Sequence, residues 1–106
     1  EFDKALSAYL IIKQNDSLDP AVSERNFNSL GYTELRNKNF ELAINFFRIN
    51  VEIYPESSNV YDSLGEAYVR NKDNIQAISN FEKSLELDSG NSSAKRYLKR
   101  LKKKKE

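Results

Sequence analysis

The stretch Asn59-Val-Tyr-Asp-Ser-Leu-Gly-Glu-Ala-Tyr68, followed by Ala77 and Phe81, decides how this chain folds. A shift of 34 residues lays it over an earlier stretch: Phe27 falls on Tyr61, Leu30 on Leu64 and Gly31 on Gly65. The same shift puts Ala43 on Ala77, Ile44 on Ile78 and Phe47 on Phe81. A fixed period of this size marks a stacked array, in which each unit is a supersecondary element that buries its apolar face on its neighbours.

Each unit reads as two helices. The first helix of the earlier unit is expected from Pro20 or Ser23 to Asn37, with Asp19 and Pro20 as a cap and first-turn pair. Its second helix runs from Phe40 to Tyr54 and stops at Pro55. In the later unit Ser57 or Ser58 caps a helix reaching Asn71, and a second helix runs from Asn74 to Leu87, with Gly90 as its expected C-cap. Gly31 and Gly65 fall inside helices, where glycine costs about 1 kcal/mol relative to alanine. That cost implies close helix crossings that exclude a Cβ, with Ala43 and Ala77 as the complementary small positions.

Half a unit precedes these two. Phe2-x-x-Ala5-Leu6-x-x-Tyr9 matches Phe40-x-x-Ala43-Ile44-x-x-Phe47 at an offset of 38, so the connector carries about four extra residues. After the second unit, Ala94, Tyr97, Leu98 and Leu101 recur at helical spacing on a segment whose other face is basic, as a solvating cap helix requires. The expected organisation is one domain over 1–106. It comprises a partial-repeat helix at 1–14, a connector and helix start at 15–23, repeats at 24–57 and 58–91, and a cap helix with basic tail at 92–106.

The 34-residue period and the quoted stretch closely resemble the tetratricopeptide repeat. The resemblance implies an all-α solenoid of antiparallel helix pairs in a right-handed superhelix, and a protein-protein interaction or scaffolding role. The first unit departs at Glu34, where the family usually has an aromatic residue, and at Asn50, where it usually has Ala; a buried Asn needs partners. A narrower resemblance, carried by Asn45-Phe-Phe-Arg-Ile-Asn-Val-Glu-Ile-Tyr-Pro55 with Asn59 to Tyr68, is to tails C-terminal to bacterial serine hydrolases of the esterase or β-lactamase-like kind. It implies a bacterial parent, cytoplasmic or periplasmic, in which this segment positions or oligomerises the enzyme.

Composition narrows the chemistry. The chain has no His and no Cys, so imidazole base catalysis, thiolate metal sites and disulfides are excluded. Without His a Ser-His-Asp arrangement is impossible, and Ser92-Ser93-Ala94-Lys95, which has Ser-x-x-Lys spacing, sits at a helix start, where Ser is ordinary capping material. Asp16, Asp19 and Asp73 lack calcium-loop spacing and read as turn and capping residues, so neither metal nor cofactor is implied. The longest apolar run, Ala8 to Ile12, is far too short to span a bilayer. The chain begins at Glu1 and contains no Met, so it reads as a piece of a longer protein.

A net charge of +1 hides an asymmetry. Glu1 to Ala94 carries 9 basic and 15 acidic residues, whereas Lys95 to Glu106 carries 8 basic and 1 acidic. The tail, with Lys95, Arg96, Lys99, Arg100 and Lys102 to Lys105, could attract nucleic acid or an anionic membrane. Apart from Tyr97 it has no aromatic interleaving for stacking on bases, and a solvated cap helix explains it better.

By matching positions, the resemblance implies a concave peptide groove lined by Asn28, Tyr32, Leu35 and Arg36 from the first repeat. Asn59, Asp62, Glu66, Val69 and Arg70 come from the second, and Arg96 from the cap helix. The family's clamp for acidic chaperone tails uses Lys and Asn where Asn28 and Tyr32 stand, and another Asn where Ser63 stands. Asp62 and Glu66 would repel such a tail. In the N-terminal segment Phe2, Leu6, Tyr9, Leu10, Ile11 and Ile12 point nearly all round, so that helix is expected to meet the parent chain or to self-associate.

Overall fold

The computed structural model describes residues 2–104. The Lys104 side chain and Lys105, both counted in the basic tail, lie outside the described side chains. Six α-helices follow in order: α1 (Phe2–Asn15), α2 (Glu24–Arg36), α3 (Phe40–Ile53), α4 (Ser58–Arg70), α5 (Asn74–Leu87) and α6 (Ser92–Lys104). A single 3-10 turn, Pro20–Val22, precedes α2, and no strand occurs among the described residues. The helices pack most extensively as the pairs α2–α3 and α4–α5, and consecutive pairs stack through α3–α4 and α5–α6. Stacking gives an elongated body of 48 × 28 × 20 Å. The chain is therefore an all-α solenoid of helix pairs.

The turns within each pair explain its antiparallel path. After α2, Lys38 N–H donates to Leu35 O at 3.1 Å and Asn39 N–H to Glu34 O at 2.9 Å. After α4, Lys72 N–H donates to Val69 O at 3.0 Å and Asp73 N–H to Tyr68 O at 2.9 Å. These paired bonds are the Schellman closure, which needs a left-handed residue just past the helix. Lys38 and Lys72 take that role, at φ 64° and 63°. No glycine has positive φ, so Gly90 is not the helix stop expected of it. Instead α5 ends at Asp88, in extended conformation, whose N–H donates to Ser84 O.

Glycine does the work expected of it inside the pairs. A Cβ on Gly65 would lie 2.8 Å from Cε1 of Phe81, and one on Gly31 would come within 2.6 Å of Cζ of Phe47. Both rings are fully buried, so neither can swing aside. Between the pairs, Leu35, Ala43, Ile44, Phe47, Leu64 and Ala67 form one core cluster. Ala77, Phe81, Ala94, Leu98 and Leu101 form the next, beneath the cap helix.

The entry to α2 uses both capping residues read from sequence. Asp19 accepts from Ala21 N–H at 2.9 Å and holds the 3-10 turn, and Ser23 accepts from Asn26 N–H at 3.0 Å and starts the helix. The extra connector residues are spent on this turn, whose Val22 is buried beside Phe27 and Ile49. Ser57 precedes α4 without capping it; its hydroxyl donates to Glu24 Oε2 at 2.9 Å instead.

Helix α1 is the least enclosed. Phe2, Ala5, Leu6, Tyr9 and Ile12 pack toward Val22, Phe27 and Ile49, and the Tyr9 ring meets Phe27 edge-on at 4.8 Å. None of its residues is fully buried, and Leu10 and Ile11 are 43% and 58% exposed.

Candidate functional site

The first helices of successive units, α2 and α4, stand side by side, and α6, which packs on α5, is tied to α4 by side-chain hydrogen bonds. Residues three or four apart share a helix face, so positions 28 and 32, 62 and 66, and 93 and 97 look the same way. Hydrogen bonds join these faces across the helices. Tyr32 Oη donates to Ser63 Oγ at 3.2 Å, and Ser63 Oγ donates to Asn28 Oδ1 at 2.9 Å. Ser93 Oγ donates to Asp62 Oδ1 at 3.3 Å, and Tyr97 Oη to Glu66 Oε1 at 3.1 Å.

This face encloses a concavity of about 540 Å³ lined by Glu24, Arg25, Asn28, Tyr32, Asn59, Asp62 and Ser63. A second hollow, of about 320 Å³, lies beside Arg96, Lys99, Arg100 and Lys103 on α6.

The groove carboxylates are only half in water. Burial pushes the Asp62 carboxyl above its usual value, against the Ser93 bond and the Arg96 charge, which pull it down. Burial also raises Glu66; the Tyr97 bond pulls it down and the neighbouring Asp62 charge raises it further. Burial lifts the Tyr32 phenol to about 12, with the Ser63 bond opposing and Glu66 and Asp62 adding. Ion pairs occur at Lys83–Glu86 and Lys102–Glu82; among the described residues none within 4.0 Å involves Asp62 or Glu66.

Of the residues expected at a groove, Asn28, Tyr32, Asn59 and Asp62 share the larger concavity, and Glu66 lies one turn beyond Asp62. Arg96 reaches the smaller hollow. Leu35 is a correction: at 2% exposure it sits in the core between α2, α3 and α4 and lines nothing. Val69 packs half-buried against the cluster under α6. Arg70 places its guanidinium 5.5 Å from the Phe40 ring centroid, and the exposed Arg36 bonds Thr33 Oγ1 at 3.3 Å.

Sequence reading missed Ser63, Arg25, Ser93 and Tyr97 as site residues. A signal for three of them existed. The pairs Tyr32–Ser63, Asp62–Ser93 and Glu66–Tyr97 each span 31 residues, one period less one helical turn. Elsewhere the loop acids cap: Asp16 accepts from Leu18 N–H, and Asp73 from Gln76 N–H. Among the described residues no three acidic side chains converge as metal ligands, and no helix is long and apolar enough to cross a membrane.

Comparison with known proteins places this geometry. The family model described as tetratricopeptide repeat matches residues 58–91. Superkiller protein 3 of Schizosaccharomyces pombe is 40% identical over 60 residues, which cover 57% of this chain and 4% of that protein. Anaphase-promoting complex subunit CDC16 of Saccharomyces cerevisiae is 38% identical over 71 residues, covering 67% of this chain and 8% of that protein. The chain thus spans less than a tenth of either relative. Both relatives are eukaryotic, and neither lends support to the bacterial source or the hydrolase-tail likeness read from sequence. Residues 58–91 match the tetratricopeptide repeat, and the chain folds as an α-solenoid of that type.

Proposed function

We propose that this chain is a non-catalytic protein-interaction module that holds a polypeptide segment against the face shared by α2, α4 and α6. The observation that carries the reading is the Asn28–Ser63–Tyr32 relay at the floor of a 540 Å³ concavity. Such a relay fixes the side chains before a ligand arrives, which lowers the entropy lost on binding. Asn28 keeps its amide donor for a peptide carbonyl, Asn59 offers both donor and acceptor, and the half-buried Tyr32 ring offers apolar area. A relative named as a subunit of a complex is in keeping with a protein partner. The lack of His and Cys is in keeping with a role that needs no chemistry.

Selection of peptides from a display library on the immobilised chain tests the reading. Selected peptides should lose binding to Tyr32→Ala and Asp62→Asn and keep it to Glu52→Gln and Ile75→Ser, on exposed positions of the second helices. The opposite pattern would move the site off this face.

The exposed Leu10 and Ile11 support a second contact, of α1 with another part of a longer chain or with a second copy. Sedimentation of Ile11→Lys against the parent chain tests it: self-association that ignores this change removes α1 as the contact.

A further inference from the structure

Equivalent positions of the groove carry different charge on successive helices. One row across α2, α4 and α6 is Asn28, Asp62, Arg96; the next is Tyr32, Glu66, Arg100. In these two rows the face is neutral on α2, acidic on α4 and basic on α6; Glu24 and Arg25, which also line the concavity on α2, are of opposite sign. The bonds from Ser93 to Asp62 and from Tyr97 to Glu66 hold the acidic row against the flank of α6. Arg96 and Arg100 lie one turn past Ser93 and Tyr97, and with Lys99 and Lys103 they border the 320 Å³ hollow.

Asp62 and Glu66 are half desolvated and, among the described residues, no Lys or Arg nitrogen lies within 4.0 Å of either, so a cation brought by a ligand would meet charge that water only partly screens. The basic row next to it repels that cation and attracts an anion. Packed helix axes lie about 8–10 Å apart, and an extended peptide advances about 3.3 Å per residue. Moving from the acidic row to the basic row therefore takes about three residues. Building on the groove reading above, we propose that the face selects a peptide of mixed charge, with a Lys or Arg cluster over Asp62 and Glu66 and a Glu or Asp cluster about three residues away over Arg96 and Arg100. A purely acidic segment meets repulsion on α4, and a purely basic one meets it on α6. Phosphodiester chains satisfy only the α6 row.

Fluorescence anisotropy with the full chain tests the proposal. The probes are a synthetic peptide with a Lys-Lys pair three residues from a Glu-Glu pair, the reverse order, all-Lys, all-Glu and uncharged peptides of equal length, and a single-stranded oligonucleotide. One or both mixed-charge peptides should bind about fivefold or more tighter than each single-sign peptide, with the gap closing at high salt. The exposed or half-buried changes Asp62→Asn with Glu66→Gln should abolish discrimination against all-Glu. Arg96→Gln with Arg100→Gln should abolish discrimination against all-Lys. Circular dichroism checks that each variant keeps its helices. Equal affinity for mixed-charge and uncharged peptides, all lost on Tyr32→Ala, overturns the charge pattern and leaves the groove standing. The oligonucleotide binding as tightly as the mixed peptides overturns the pattern in favour of a simple polyanion site on α6. No binding of any peptide overturns both the pattern and the groove.

Discussion

Ser84 Oγ donates to the Ser58 carbonyl at 2.9 Å, locking the second helix of a unit to the first turn of its partner. The Ser58 hydroxyl and the Asn91 amide complete the set, at 2.8 and 2.9 Å from Ser84 Oγ. One unit earlier the same place is held by Asn50, whose amide donates to the Glu24 carbonyl at 3.1 Å. Both side chains are fully buried, but Asn50 Oδ1 has no hydrogen-bond partner among the described residues. The stacked units thus share a clasp that is complete in one copy and half made in the other.

The two clasps should respond unequally to truncation. Ser84→Ala removes a satisfied hydroxyl with its bond to the Ser58 carbonyl and leaves the Asn91 amide only its longer bond to the Ser58 hydroxyl, a loss of about 1–3 kcal/mol. Asn50→Ala also removes an orphaned acceptor, which offsets part of the cavity it leaves. Urea denaturation should show the larger drop for Ser84→Ala. A larger drop for Asn50→Ala would mean that its carbonyl contributes more than the structure gives it.

Gly65→Ala should destabilise the chain although alanine is the better helix former. Helix propensity favours the change by about 1 kcal/mol, while forcing a methyl against a buried ring costs about 1–3 kcal/mol. Gly31→Ala, whose Cβ would come nearer its ring, should cost more than Gly65→Ala. In a double-mutant cycle Phe81→Leu should recover part of the Gly65→Ala loss. Strict additivity of the two changes would show that the ring is not what excludes the Cβ.

Lys38 and Lys72 hold left-handed backbone that costs a side-chain-bearing residue about 1–2 kcal/mol. Lys38→Gly and Lys72→Gly should each raise stability, by less than that figure because glycine also gains freedom in the unfolded chain. Both lysines are exposed, so no packing is lost. Thermal melts of the single and double variants check this, and a fall in Tm for either would count against strain at that turn.

The turns also show where sequence reading stopped. The 34-residue period located α2 to α5, where the glycine–phenylalanine contacts repeat with it; the match at an offset of 38 located α1, and apolar spacing located α6. It could not show that Asn37-Lys-Asn39 and Asn71-Lys-Asp73 close as Schellman turns, since lysine carries no sign of positive φ. Gly90 invited the opposite error, an available glycine where the backbone needed none. Leu35 was assigned to the groove by family position, but its face turns toward α3 and α4, where an apolar side chain is worth more buried. The acids and bases of the groove were legible as residues. Their charge alternation became visible only once α6 stood in register with α4.

Glu66→Gln should act with opposite sign on stability and on binding. Burial holds the Glu66 carboxyl above its ordinary value of 4.5, so the folded chain binds this proton more tightly than the unfolded one. Stability from that difference is fully present below the unfolded value and is lost as pH rises through the raised folded value. At neutral pH the carboxylate is therefore a net cost, limited to about 1 kcal/mol by its partial exposure. Gln removes the cost while keeping an oxygen for the Tyr97 hydroxyl. The variant should melt up to a few degrees above the parent at pH 7, with the gain vanishing as pH falls below the ordinary Glu range. The same change should weaken mixed-charge peptides about fivefold, and parent-chain affinity should fall on acidification through the raised values of Glu66 and Asp62. A structural role alone would make Glu66→Gln less stable and leave peptide affinity unmoved. Paired melts and titrations at neutral and acid pH therefore separate a carboxylate kept for a ligand from one kept for the fold.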